Sequence, residues 1–117
     1  MRLGANGDTA NAKVAIRNVL RGRAKKALFV TELAALLRRK KVGQDEMERA
    51  LSELQTEGVV IMRDNFCADP HLANVDLRIV APVDESTGAD GHAVALAEID
   101  LAWNEWLGEY LANHRCG

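Results

Sequence analysis

The stretch from Phe29 to Val83 constrains this chain most: two short amphipathic helical patterns are followed by a Gly-terminated helix end and two β-rich runs. Thr31 is a favourable N-cap for the first helix, with Glu32 in its first turn and Leu33, Leu36 and Leu37 directed inward. Arg38-Arg39-Lys40-Lys41 closes that helix at the end where the helix dipole favours cations. Val42-Gly43 then turns the chain into another helix, in which Met47, Ala50, Leu51 and Leu54 recur at three- and four-residue intervals. Glu57-Gly58 ends it, because glycine supplies the left-handed conformation of a helix stop. Val59-Val60-Ile61-Met62 reads as a strand. A second strand is expected from Val75 to Val83, alternating Val75, Leu77, Ile79 and Ala81 with Asp76, Arg78 and Val80 until Pro82 ends the pairing. Asp64 to Asn74 is the polar hairpin loop between them.

The flanks add two helices. One is capped by Thr9 or Asn11, presents Ala12, Ile16, Val19 and Leu20 on one face and frays at Gly22. Arg23-Ala24-Lys25-Lys26 follows as a basic turn, and residues 27–29 suit a short third strand. The other helix carries Leu96, Ile99, Trp103, Trp106 and Tyr110, spaced 3, 4, 3, 4. These patterns divide the chain into a flexible N-terminus (1–10), a domain (11–83), a linker (84–91) and a C-terminal helix (92–117). The class is α+β and mainly α. Exposed tryptophan rings would form a large apolar patch, so the aromatic seam is expected to join two protomers, with packing on the domain itself as the alternative.

Charge separates along the chain beneath a net value of −2. Residues 1–41 hold 11 Lys and Arg against 2 acids, and the remainder 4 against 15, giving +9 and −11. This calls for an anionic partner at the first third, or for neutralisation within the fold. Arg17, Arg21, Arg23, Lys25 and Lys26 could face Glu98, Asp100, Glu105 and Glu109 in that way. Cys67 and Cys116 are too few for a disulfide framework, the opening residues lack the apolar core of a signal peptide, and no run approaches the roughly 20 apolar residues of a membrane span. A soluble cytoplasmic protein is expected.

The segment from Ala15 to Val83 resembles the winged helix-turn-helix of MarR-, ArsR- and PadR-like transcription regulators. The resemblance is carried by Val30-Thr31-Glu32-Leu33-Ala34-Ala35-Leu36-Leu37, Val42, Arg49-Ala50-Leu51, Leu54 and Glu57-Gly58-Val59-Val60. It implies double-stranded DNA as the partner, the helix after Gly43 in the major groove and a two-strand wing on the minor groove or backbone. The groove-facing positions would be Gln44, Asp45, Glu48, Arg49 and Ser52; Gln44 suits adenine, Arg49 guanine, and Ser52 a base or phosphate. Arg63 is the base at the start of the wing. Asp45 and Glu48 depart from the pattern, since phosphate repels a carboxylate unless it accepts from a cytosine amino group, and the wing acids Asp64, Asp69 and Asp76 outnumber Arg63 and Arg78. Affinity is therefore expected from Arg38, Arg39, Lys40 and Lys41, contacting phosphates. The acidic reading helix also leaves a second function open, a winged helix docking a basic protein partner.

Other chemistry has little support. Cys67 and His71 are metal-binding residue types, but their spacing matches no paired-ligand site and Asp69-Pro70 suits a turn. No Gly-rich phosphate loop, GxSxG elbow or HExxH motif occurs, so neither an enzyme nor a cofactor is expected.

Overall fold

The computed structural model describes residues 3–22, 26–65, 67, 70–72, 74–83 and 90–113, with side chains from Thr9 onward. Four helices and a three-stranded antiparallel sheet follow in the order α1 (Leu3–Arg21), β1 (Leu28–Phe29), α2 (Val30–Arg39), α3 (Gln44–Thr56), β2 (Val60–Asp64), β3 (Arg78–Pro82) and α4 (Asp90–Asn113). A single 3-10 turn, Pro70–Leu72, lies in the hairpin loop between β2 and β3. Among the described residues no helix is long and apolar enough to cross a membrane.

The sheet order is β1-β3-β2. Leu28 stands opposite Val80, and Val60 to Asp64 run antiparallel to Pro82 to Arg78. The central strand is apolar on both faces, because Ile79, Val80 and Ala81 are each fully buried. Successive strand side chains point to opposite faces. Val80, with Leu28 and Val60, joins Ile16, Leu33, Leu37, Met47, Leu51 and Leu54 in the core beneath α1, α2 and α3. Ile79 and Ala81 instead join Ala27, Ala95 and Ile99 beneath α4. The sheet is thus a middle layer between a three-helix body and one long helix. Two buried faces also explain why an alternating apolar and polar reading of residues 75–83 overestimates the strand.

Several boundaries differ from the sequence expectation. α1 starts at Leu3, so the segment expected to be a flexible tail is helical from that residue. α2 starts at Val30, with Phe29 as an extended N-cap that makes no side-chain cap bond, so Thr31 lies inside the helix. The reason is packing: Leu28 and Val30 are both buried, and the chain passes from strand to helix at Phe29 with no residue to spare. Asp90 and Gly91 belong to α4 rather than to the linker, whose residues 84–89 fall outside the described set, as do Arg23-Ala24-Lys25, Asp69, His114 and Cys116.

The buried face of α4 runs through Gly91, Ala95 and Ile99. Ala102, Trp103 and Phe29 continue the contact, and Trp106 stacks between Trp103 and Tyr110 with ring centroids 5.4 and 5.2 Å away. The aromatic seam expected to join two protomers therefore divides. Ile99 is fully buried in its own chain, Trp103 and Trp106 lie against Phe29 at centroid distances of 6.5 and 5.5 Å, and Leu96 faces solvent. Ala95 is the physical reason, since its small side chain lets α4 approach the sheet one residue out of step with Leu96.

Candidate nucleic-acid interface

Both helix ends that flank the basic turn and α3 close by the same device. At the end of α3, Gly58 takes φ 77°, its N–H donates to the Gln55 carbonyl (3.0 Å), and the Val59 N–H donates to the Leu54 carbonyl (3.0 Å). This is the Schellman stop that Glu57-Gly58 leads one to expect. At the end of α2 the Lys41 N–H donates to the Arg38 carbonyl (3.0 Å) and the Val42 N–H to the Leu37 carbonyl (3.0 Å). There, however, the left-handed position holds Lys41, at φ 63°. A Cβ makes that conformation cost roughly 1–2 kcal/mol. Val42 packs on the core and anchors the turn, so Arg38, Arg39, Lys40 and Lys41 all stand exposed around a fixed chain reversal.

α3 begins immediately beyond. Gly43 is its N-cap, and the Glu46 carboxylate folds back into the space that a Cβ on Gly43 would take. Gln44, Asp45, Arg49 and Ser52 are exposed, whereas Met47, Ala50, Leu51 and Leu54 are buried. Three carboxylates of α3 and its C-cap are engaged by cations within the fold. Arg78 on β3 donates from both terminal nitrogens to the Glu48 carboxylate (2.8 and 2.6 Å), and also to Asp76 from Nε (2.9 Å) and Nη2 (2.7 Å). Gln44 Nε2 donates to Glu48 at 3.0 Å, so both Gln44 and Glu48, expected to read bases, are engaged by neighbours. Lys13 on α1 bridges Glu57 (2.5 Å) and Glu53 (3.4 Å) at the other end of α3. Of the positions expected to face a groove, Asp45, Arg49 and Ser52 are exposed with no side-chain hydrogen bond among the described residues.

Arg78 is the residue whose contacts sequence reasoning missed. Its signal was present, since β3 must send Arg78 to the same face as Val80 and therefore toward α3, but that required the register. Arg63 goes the other way. It shares the face of Ile79, donates to Asp100 on α4 (2.5 Å) and to Asn65 Oδ1 (3.1 Å), and so lies across the sheet from the basic turn. Arg63, expected to act with the tetrad, is set on the opposite face of the sheet from Arg78 by this one-residue alternation.

Hydrogen bonds from Arg78 hold the carboxyls of both Glu48 and Asp76 below their usual values of 4.5 and 3.8, against an opposing desolvation, and the same bonds raise the guanidinium above its own. Carboxyls depressed in the folded state contribute stability above their unfolded values and lose it as pH falls through the folded ones. Urea midpoints measured from about pH 7 to about pH 2.5 should therefore decline more steeply below 4.5 for the wild type than for Arg78→Met. Superimposable acid limbs would show that the cluster contributes nothing. The groups are a quarter to a third exposed, so at neutral pH the difference should be about 1 kcal/mol.

A second feature lies at the edge of the sheet. Arg17, Arg21 and Lys26 line a cleft of about 490 Å³ between the C-terminal half of α1, the ends of β2 and β3, and the first turns of α4. Of the α4 acids expected to face the N-terminal bases, Glu98 shares this cleft with Arg17, Arg21 and Lys26, and Asp100 pairs with Arg63 instead. In the loop, Cys67 is half-buried, and among the described residues no group of three His, Cys, Asp or Glu stands ready to hold a metal ion.

Compared with protein-family models, curated proteins and solved structures, the chain matches none of them.

Proposed function

We propose that this chain is a winged-helix DNA-binding protein, a transcription regulator that engages duplex DNA chiefly from the turn between α2 and α3. The topology supports the reading: α3 is followed by a β hairpin, and β1 pairs beside it. The observation that carries it is the exposed tetrad Arg38, Arg39, Lys40 and Lys41 on a fixed turn, next to a helix whose carboxylates Glu48, Glu53 and Glu57 are held by Arg78 and Lys13. Each carboxylate paired with a cation repels a phosphate less, but Arg78 and Lys13 bring two positive charges to four carboxylates, so this face stays net acidic and the affinity rests on the tetrad. Arg49 and Ser52 face the groove in this reading, and the tetrad supplies affinity with no sequence information of its own. Titration of a random-sequence duplex across a salt series tests it. A steep fall of affinity with salt is the expected result. No binding at about 50 mM salt would hand the fold to the protein-docking reading, which the exposed Asp45 and Asp64 favour.

The same reading includes a homodimer formed by α4, through a different stripe from the aromatic one. Leu101 and Leu111 are 57% and 54% exposed on the side of α4 turned away from the sheet, with Ala97 and Gly108 beside them at helical spacing. A helix apolar on both sides calls for burial on both. Leu101→Glu with Leu111→Glu should convert a dimer to a monomer in sedimentation at tens of micromolar, with helicity retained. A wild type that sediments as a monomer there would remove the idea.

A further inference from the structure

The cleft beside α4 has the composition of a ligand site, and it is separate from the basic turn. Its volume of about 490 Å³ falls within the range of small-molecule sites, roughly 300–1,000 Å³. Its floor is apolar, formed by Leu20 and Val60 of the core with Val83 at the side. Its rim is cationic: Arg17 and Arg21 stand one turn apart on α1, Lys26 lines the cleft from the start of the sheet, and Glu98 is the one acid among the described lining residues. All three cations are exposed, and no ion pair joins them to Glu98 among the described residues, so the described rim carries an excess of positive charge. An apolar floor with a cationic rim selects one ligand chemistry. The apolar body of the ligand gains by leaving water, while its anionic head stays at the partly solvated rim, where opposite charge attracts it without full desolvation.

We infer that this cleft binds a small amphipathic anion, an organic acid with an apolar body, held by Arg17, Arg21 and Lys26 over the Leu20, Val60 and Val83 floor. The inference does not depend on DNA binding, and its test needs no nucleic acid. Calorimetric titration of the full chain with decanoate, below its micellar range, should give saturable binding of one molecule per chain. Decyltrimethylammonium, with the same tail and the opposite charge, should bind at least about tenfold more weakly. Arg21→Glu with Lys26→Glu reverses two exposed rim charges and leaves the core intact, so it should weaken decanoate about tenfold or more. Val83→Trp should fill the floor and remove the binding, with a thermal melt confirming that the chain remains folded. Absence of saturable decanoate binding would overturn the inference. So would equal binding of the ammonium, or an unchanged affinity in the folded double variant.

Discussion

Truncating Ile99 to alanine should lower the unfolding free energy by about 2–5 kcal/mol, the range for removing a buried branched side chain and leaving a cavity. Ile99 is fully buried where α4 meets Ile79 and Ala81 of the central strand, and its neighbour on that face, Ala95, is too small to fill the space it would vacate. Small domains are stable by only about 5–15 kcal/mol, so the change would remove a large share. At about 4–8 °C per kcal/mol for a chain near 100 residues, the midpoint of a thermal melt should fall by about 8–40 °C. Leu96→Ala makes the contrast. Leu96 belongs to the same aromatic and aliphatic pattern in sequence, yet it is 42% exposed, and its truncation should change stability by no more than about 0.5 kcal/mol in the monomer. Equal costs at the two positions would mean that α4 does not dock through the Ala95 and Ile99 face.

Replacing Arg38, Arg39, Lys40 and Lys41 together with alanine should have the largest effect on binding. Each phosphate contact contributes about 0.9 to the slope of log affinity against log salt, so four contacts contribute about 3.6. On that slope the wild type loses about two orders of magnitude between about 50 and 200 mM salt, and the variant should lose almost none of that portion. Its affinity at about 50 mM should accordingly fall at least a hundredfold, uniformly across duplex sequences, because backbone contacts carry no base information. Folding should be little affected, since all four side chains are exposed. A slope unchanged in the folded variant would take the interface away from this turn. Arg49→Ala should behave differently, with a loss that depends on the sequence offered.

The helix stops, the buried positions of α2 and α3, and the short β1 were legible in sequence because each rests on local chemistry. Gly58 at a left-handed position and Leu54 at helical spacing are decided within a few residues. What was not legible depends on register. Arg63 and Arg78 look alike in a list of charges, but strand alternation sends Arg63 to Asp100 and Arg78 to Glu48. The 3, 4, 3, 4 seam of α4 likewise contains the aromatic residues correctly and misses Ala95, because a small residue that permits close approach gives no hydrophobic signal. The cations that engage Glu48 and Glu53 of α3 were not legible for the same reason, since they come from β3 and α1, 30 and 40 residues away.

The left-handed Lys41 sets two kinds of selection against each other. Glycine adopts that conformation freely, so Lys41→Gly should raise stability by about 0.5–1 kcal/mol after the flexibility of glycine is subtracted, as a denaturant midpoint would measure. On the proposed DNA reading the same substitution removes one phosphate contact and should reduce the salt slope by about 1. Variants chosen for heat resistance alone would thus drift toward glycine at position 41, and variants chosen for capture of an immobilised duplex would return to lysine. A library passed through both selections in parallel would diverge first at this residue, whose own exposed side chain contributes nothing to the hydrophobic core.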